Sequence, residues 1–418
     1  MPGSKKGFSV VEVVVILLVL GVIGAAGGLY FNGRGDDDQN SNRENATPTP
    51  TTATESDAVH AGRQLANNNC SGEGVTSLLS HAPMDPNDFS IVIPYGLMIG
   101  GHVTPIDHQY FSPVDYQSQP DAYPVYAMGD ATIVDIGTRP RPFGEEYRIV
   151  FSVSCTYLYY YDLVTSLTDD VKTAYDEWIQ NKDQGARLSF LVKAGQQIGN
   201  IGGQTLDFAV WDTTKPLTGF VVPEHYSAES WKIYTADPLD YYTDELKERI
   251  LSRYVRKVEP ISGKIDYDVD GRLIGTWFLQ GTNGYAGAEG YTGGDYWGGH
   301  LSFAPNLYVP DWFEISIGDF NGEAKQFVTT ANSPQPSEVT TATGLVKYEL
   351  ADLVYMSNGQ AWDQNSLVDD LSVQAGSYRP GCALVQMTGD REIKFETFAN
   401  VACSSVLSFT EAAKVYTR

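Results

Sequence analysis

The order of hydrophobic and polar positions divides the chain into one long apolar run and many short alternating segments. The run from Val13 to Phe31 holds 19 residues without a charge. At about 1.5 Å per residue, a helix of this length spans about 28 Å, close to the hydrocarbon thickness of a bilayer. Since no small-residue cleavage site follows the run, the pattern predicts a retained transmembrane helix over residues 8–31.

A polar segment follows the apolar run. Residues 32–60 are rich in Asp, Asn, Thr and Pro and contain few apolar side chains. Such a composition cannot form a core and predicts a solvated, disordered linker. Lys5 and Lys6 precede the apolar run, which favours a cytoplasmic N-terminus. Together these features predict a single-pass membrane protein with an extracytoplasmic ectodomain at the cell surface.

The rest of the chain has the pattern of β-strands. Short runs rich in Val, Ile, Tyr and Phe are bounded by Gly or Pro, which is typical of strands. The helical spacing of Val171, Tyr175 and Trp178 predicts one helix inserted among them. Thr243 is a candidate N-cap for a second helix over residues 243–255.

Turn signals recur in the last part of the chain about every 10–15 residues, which is typical of a sandwich or barrel. The pattern therefore predicts a mainly β ectodomain of two domains joined by a helical connection. The predicted divisions are a short basic segment (1–7), the transmembrane helix (8–31), the linker (32–60), an antiparallel β domain with the inserted helix (61–225), a connecting helical region (226–257) and a C-terminal β domain (258–418).

Composition narrows the choice of partners. The chain has 28 basic and 52 acidic residues, for a formal net charge of −24, which disfavours nucleic acid as a partner.

An exported ectodomain permits disulfides. Cys382 and Cys403 are a natural pair because both lie in the last domain, which leaves Cys70 with Cys155. Sequence alone does not decide between these pairs and four buried thiols.

A glutamate stands near the start of the apolar run, where a carboxylate in lipid is costly and usually functional. After a short basic leader, Gly7, Phe8 and Glu12 resemble the N-terminal signal of type IV pilins and pseudopilins. The resemblance implies a bacterial-type cytoplasmic membrane and a leader peptide over residues 1–7, removed by cleavage between Gly7 and Phe8. It also implies methylation of the new N-terminus and a role for Glu12 in filament assembly. In pilins the helix continues into the head, whereas Asn32 and Gly33 interrupt it here. The alternatives are a membrane anchor on an unrelated ectodomain and an ordinary signal anchor with a chance glutamate.

A second group of residues suggests metal chemistry. His102, Asp107 and His108 stand together in MIGGHVTPIDHQYF, and Asp207 lies further along in TLDF. YPVYAMGDATIV and AGQQIGNIGG lie between them. The order of these segments over residues 90–215 resembles the lysostaphin-type (LytM-like) zinc endopeptidases, which cut peptidoglycan cross-bridges. The resemblance implies an antiparallel β domain of that type.

The catalytic histidines of that family are not matched. Where the family has His-Leu-His-Phe, this chain has Thr205, Leu206, Asp207 and Phe208. A further family histidine corresponds to Asp162. The resemblance therefore implies the framework of the peptidase with a degenerate active site.

Zinc chemistry needs three protein ligands and an open water position. His102, Asp107 and Asp207 are the predicted ligands, although the first two stand one residue further apart than in the family. His108 is an alternative ligand to Asp107. His108 and Asp162 are the candidates for acid–base catalysis. The alternative interpretation is a fold without metal, in which these side chains make only polar contacts.

The Tyr- and Trp-containing segment at residues 284–300 is rich in glycine. Its aromatic rings could stack on sugars, or the segment could simply form loops.

The fold class predicted from these observations is mainly β. It combines a single N-terminal transmembrane helix, a linker, a lysostaphin-like antiparallel β domain with an inserted helix, and a C-terminal β sandwich or barrel. The predicted function is a membrane-anchored cell-envelope protein that binds peptidoglycan or another surface glycan or peptide through a degenerate peptidase-like domain. One alternative is an active zinc metallopeptidase of the cell wall, with zinc as cofactor. Another is a minor pilin, pseudopilin or adhesin that joins a pilus or secretion-system assembly. Nucleic acid is not an expected partner.

Overall fold

The computed structural model describes four stretches of the chain: residues 55–141, 144–287, 296–329 and 333–418. The predicted leader, the predicted transmembrane helix over 8–31 and the residues Gly7, Phe8 and Glu12 lie outside them. The described part is mainly β and includes a closed eight-stranded barrel.

The predicted fold class is therefore wrong in one respect. In the described stretches no helix is long and apolar enough to cross a membrane. The longest α-helix there has 13 residues, which corresponds to about 20 Å and is shorter than a hydrocarbon core of about 30 Å. The described residues form a mainly β fold, and none of their helices could be the predicted transmembrane helix.

Three α-helices lie in the described residues: α1 (Glu55–Leu65), α2 (Asp169–Asn181) and α3 (Asp244–Leu251). Short 3-10 helices lie at Lys182–Gln184, Pro223–Tyr234, Pro238–Asp240, Gly284–Ala286, Tyr296–Gly299, Thr341–Thr343 and Cys403–Ser405. α2 lies where the spacing of Val171, Tyr175 and Trp178 predicts a helix.

The predicted linker boundary and one helix prediction need adjustment. α1 begins inside the segment predicted as linker, because its small residues pack closely on the first domain. A Cβ atom on Gly62 would lie 1.5 Å from the carbonyl oxygen of Cys155. α3 begins after Thr243, whose side chain caps Leu246, but it ends at Leu251 rather than 255. The chain leaves the helix there because the carbonyl of Arg253 accepts a hydrogen bond from the first strand of the sheet.

The first domain is built on a large antiparallel sheet of order β1-β2-β10-β6-β5-β4-β8, with β11 paired to β10. A smaller sheet has the order β3-β9-β7. The strands are β1 (Phe89–Ile93), β2 (Gln109–Pro113), β3 (Tyr123–Tyr126), β4 (Ala131–Arg141), β5 (Gly144–Ser152), β6 (Tyr157–Val164), β7 (Ser166–Leu167), β8 (Phe190–Val192), β9 (Gln197–Ile201), β10 (Leu206–Asp212) and β11 (Thr235–Ala236).

Strand β6 shows that this sheet is covered on both faces. Successive side chains of a strand point to opposite faces. Tyr157, Tyr159 and Tyr161 pack in one apolar cluster, whereas Leu158 and Tyr160 pack in a different one. A strand buried on both sides explains why the run Tyr157–Tyr161 contains no polar alternation.

The second domain is a closed antiparallel barrel of order β12-β13-β14-β15-β16-β20-β21-β22, beside a small sheet of order β18-β17-β19. Trp277, Phe303 and Phe395 lie in its interior. The strands are β12 (Gly275–Leu279), β13 (His300–Pro305), β14 (Phe313–Phe320), β15 (Glu323–Thr329), β16 (Val346–Ala351), β17 (Leu353–Ser357), β18 (Gln360–Ala361), β19 (Ser372–Ala375), β20 (Gly381–Gly389), β21 (Glu392–Ala399) and β22 (Lys414–Thr417).

Each domain contains one disulfide. Cys70 is joined to Cys155 and Cys382 to Cys403, which are the two pairs that sequence order favours. The first bond ties the segment after α1 to the turn between β5 and β6. The second ties β20 to the chain segment that precedes β22.

The two domains share an apolar junction that contains a buried carboxylate. Ile91 of β1 packs with barrel-side residues such as Tyr308 and Tyr355. Glu314, on the outer face of β14, is 2 % exposed and accepts a hydrogen bond of 2.7 Å from the Asn306 amide. Burial raises the pKa of Glu314 to about 7, although the Asn306 hydrogen bond lowers it.

The position of Glu314 predicts a pH-dependent stability. Because the folded state holds the proton up to about pH 7 and the unfolded state releases it near 4.5, the contribution of Glu314 is full below 4.5 and decreases as pH rises to about 7. At about 1.36 kcal/mol per pKa unit, the loss is roughly 3 kcal/mol. Glu314→Gln, which stays neutral, should gain that much relative to wild type between pH 4.5 and 8.

Urea unfolding at pH steps across this range measures the difference. Glu411→Gln, at an exposed position, is the matched control and should follow wild type at every pH. A constant difference between Glu314→Gln and wild type from pH 4.5 to 8 would contradict the assignment.

Candidate functional site

The large sheet brings together most of the residues singled out from the sequence. Asp207 on β10 stands opposite Asp162 on β6 and opposite Tyr110 on β2. His108 immediately precedes β2, and Asp107 precedes His108. Because antiparallel register places these positions side by side, residues distant in the sequence meet on one face of the sheet.

Asp107 is held by a lysine that sequence reasoning missed. The Lys232 ammonium lies 2.7 Å from Oδ1 of Asp107, and the Trp231 indole donates a hydrogen bond of 2.8 Å to Oδ2. The same ammonium lies 3.1 Å from Oε2 of Glu229. Lys232 is 4 % exposed, so this is a buried ion pair with two carboxylates.

The backbone between β10 and α3 positions this lysine. The 3-10 segment Pro223–Tyr234 is interrupted at Glu229, whose φ of −133° and ψ of 59° are not helical. The interruption allows Glu229 and Lys232 to approach Asp107 from the same segment.

His108 bridges the two aspartates. Its Nδ1 lies 3.4 Å from Oδ1 of Asp107, and its Nε2 lies 3.2 Å from Oδ2 of Asp207. Nε2 also lies 3.1 Å from the Tyr110 hydroxyl. The His102 ring stands edge-on to His108, with ring centroids 6.0 Å apart. We call Lys232, Asp107, Glu229, His108 and Asp207 the Lys232 cluster.

Burial and neighbouring charges have opposing effects on the pKa of most of these groups. Burial raises the pKa of Asp107, but Lys232 and His108 outweigh it and hold that pKa well below its usual range. Burial raises the pKa of Asp207 to about 7 against the attraction of His108. Burial, together with the nearby His108 and Lys232, lowers the pKa of His102 to about 3. The pKa of Lys232 is raised because Asp107 and Glu229 outweigh its burial.

These residues do not fit a zinc ion. A catalytic zinc needs three ligands around one point and an open position. Within the described stretches, no group of three His, Cys, Asp or Glu side chains could hold a metal ion. The Lys232 ammonium is bonded to Asp107, one of the predicted ligands, and would repel a cation there. The predicted set of His102, Asp107 and Asp207 is therefore not assembled as a metal centre.

The candidate for acid–base catalysis on β6 is also engaged. Asp162 accepts a hydrogen bond of 2.5 Å from Nη2 of Arg139. Nε of Arg139 bonds to Oε1 of Glu146 at 2.9 Å, and Nε of Arg141 lies 3.0 Å from Oε2 of the same carboxylate. We call Arg139 and Arg141, with their partners Glu146 and Asp162, the arginine group. The two arginine side chains are less buried than the Lys232 side chain. The arginine group lies near Asp207, whose Oδ1 has no hydrogen-bond partner among the described residues.

The barrel covers the Lys232 side of the site. The Lys232 ammonium lies 4.6 Å from the centroid of the Tyr285 ring, and the hydroxyls of Tyr285 and Tyr296 are 3.1 Å apart. A Cβ atom on Gly101 would lie 2.8 Å from the Trp297 ring, so only glycine fits beneath it. The described aromatic rings of the 284–300 segment thus pack against the first domain; residues 288–295 lie outside the described stretches.

No sequence signal identifies Lys232. It lies in the region predicted as a helical connection, and neither periodicity nor any motif distinguishes it. A buried lysine is rare unless it is paired, but its burial becomes visible only in the folded chain.

Comparison with known proteins gives little. No family model matches the chain, and no curated protein matches it. Among solved structures, a zinc-containing peptidase from Vibrio cholerae is similar at 18 % identity and a TM-score of 0.23. The match covers 34 % of this chain and 38 % of that one, so this chain spans well under half of that structure. The likeness to a zinc peptidase is distant and carries no argument about function.

Proposed function

We propose that this protein is an exported binding protein of the cell envelope that works without a zinc centre. Its proposed ligand is peptidoglycan or another surface glycan or peptide. The observation that carries this proposal is the buried Lys232 ammonium, 2.7 Å from Asp107. The cation that pairs with Asp107 is therefore a lysine side chain of the protein rather than a metal ion.

The charge balance of the Lys232 cluster supports a site without metal. Removing one partner of a buried ion pair leaves an uncompensated charge, which is strongly unfavourable. A divalent cation at Asp107 would have to displace the Lys232 ammonium. The ammonium would then stay buried next to the doubly charged ion. Asp107, one of the three predicted zinc ligands, therefore stabilises the lysine instead.

The cover over the Lys232 side of the site argues against hydrolysis there. Tyr285 and Tyr296 are 5 % and 9 % exposed and close that side. Where the peptidase resemblance implies two catalytic histidines, this chain has Thr205 and Asp162, and where it implies a histidine ligand of zinc, this chain has Asp207.

An oxidising compartment is consistent with the cysteines. All four are paired, and none is free. Disulfides persist outside the cytoplasm and are rare inside it. Export to the envelope accounts for both bonds and for the acidic composition.

Zinc analysis of the purified protein tests the absence of a metal centre. After incubation with zinc and removal of excess ion, we expect less than stoichiometric zinc, unchanged by His102→Ala, because Lys232 already compensates Asp107. His60→Ala, at an exposed position, is the control for surface binding. One zinc per chain that is lost in His102→Ala and retained in His60→Ala would contradict the proposal.

Substituting the lysine tests the ion pair itself. Lys232→Met leaves Asp107 and Glu229 buried without their cation, so the free energy of unfolding should fall by about 3–5 kcal/mol. Lys325→Met removes a half-exposed lysine and should change stability by less than about 1 kcal/mol.

A double-mutant cycle with Asp107→Asn separates the pair from the rest of the cluster. We expect a coupling energy of more than about 1 kcal/mol between positions 107 and 232. Additive effects of the two substitutions would show that the contact does not stabilise the fold.

Sedimentation with purified peptidoglycan tests the binding function. The protein should pellet with insoluble peptidoglycan equally well with and without a chelator, and should release no soluble fragments. A protein that stays in the supernatant, or one that binds only with added zinc, would overturn the proposed function.

A further inference from the structure

A groove away from the Lys232 cluster lies between the end of α2 and the segment that follows α1. Trp178 and Lys182 line it from the end of α2, and Asn67 and Asn69 line it from the segment after α1. Arg187 and the buried Val134 of β4 also line it. We call this the Trp178 groove.

The asparagine segment ends α1 in a defined turn. Asn67 and Asn68 have φ values of 54° and 59°, in the left-handed region that asparagine tolerates and that commonly ends a helix. The Asn68 N–H donates to the carbonyl of Arg63, which fixes the turn. Cys70, in the disulfide with Cys155, follows directly and anchors the segment.

Hydrogen bonds join the segment after α1 to β4 and to residues 187–188. The Asn67 amide donates to Asp135 at 3.2 Å. The Arg187 guanidinium donates to the carbonyl of Asn68 at 2.5 Å, and the Asn69 amide donates to the carbonyl of Leu188. The groove is therefore preformed, as small-molecule sites usually are.

The chemistry of the lining points to one class of ligand. Trp178 is half-buried and offers a flat apolar surface, with the Lys182 ammonium 5.6 Å from the ring centroid. Side-chain amides pair with hydroxyl and acetamido groups, because they carry both donors and acceptors. The lining holds two cations, Arg187 and Lys182, against one carboxylate, Asp183, and guanidinium groups pair strongly with carboxylates.

We propose that the Trp178 groove binds an acidic, N-acetylated glycan, with a sugar ring on Trp178 and its carboxylate at Arg187 and Lys182. That the ligand is an envelope glycan rests on the proposed function. The inference places this ligand in the Trp178 groove, away from the Lys232 cluster.

Calorimetry with the whole protein tests the groove. The acidic probe is a tetrasaccharide of alternating N-acetylglucosamine and N-acetylmuramic acid; the neutral probe is an N-acetylglucosamine tetramer. A third probe, a uronic-acid tetrasaccharide without acetamido groups, separates the carboxylate from the acetamido contribution. Wild type should bind the acidic N-acetylated probe about tenfold more tightly than either of the others, a difference of about 1.4 kcal/mol.

Variants assign that affinity to the groove. Trp178→Ala and Arg187→Gln should each weaken binding of the acidic probe about tenfold or more, whereas Trp178→Phe should stay within about threefold of wild type. Tyr378→Ala, at a barrel aromatic that is 57 % exposed, is the control and should bind as wild type does. Unchanged melting temperatures show that the variants are folded; Arg187 is exposed, so its variant serves if Trp178→Ala unfolds.

Two results overturn the inference. In the first, the Trp178 and Arg187 variants bind the acidic probe like wild type. In the second, wild type binds no soluble probe yet still pellets with peptidoglycan. Either result leaves the proposed function standing, because sedimentation is measured separately. A wild-type protein that binds neither probe nor peptidoglycan overturns both proposals.

Discussion

The buried ion pair between Lys232 and Asp107 is the constraint on which the rest of the first domain's site depends. It joins the loop before β2 to the 3-10 segment Pro223–Tyr234, and Tyr285 of the barrel packs on the same ammonium. Three separate parts of the chain thus meet at one charge. Ion pairs in a low-dielectric interior are favourable only when both partners are well hydrogen-bonded; here Trp231, Glu229 and His108 supply those contacts.

The Lys232 cluster and the arginine group divide the sheet face into a closed side and a more open side. On the closed side, the Lys232 ammonium pairs with Asp107 beside the Tyr285 ring. On the more open side, Arg139 and Arg141 pair with Glu146. Asp207 lies between the two sides: its Oδ2 contacts His108, and its buried Oδ1 has no partner in the described residues.

Much of the β architecture was accessible from sequence, and most of the site was not. Alternation and the uninterrupted aromatic run of β6 predict a sheet, and two cysteines in one domain suggest a bond between them. The meeting of Asp162 with Asp207 follows from strand register, which a single sequence does not specify. Lys232 could not be identified from the sequence for a different reason. It lies 125 residues from Asp107 in a segment without periodicity, and only tertiary packing buries it.

The most direct measurement is crystallographic. Diffraction data collected at the zinc absorption edge, from crystals soaked in zinc, locate any bound metal independently of its stoichiometry. We expect no anomalous peak among His102, Asp107 and Asp207, and an ammonium of Lys232 within hydrogen-bond distance of Asp107. A zinc peak bonded to those three side chains, with Lys232 turned away from Asp107, would contradict the internal-cation interpretation.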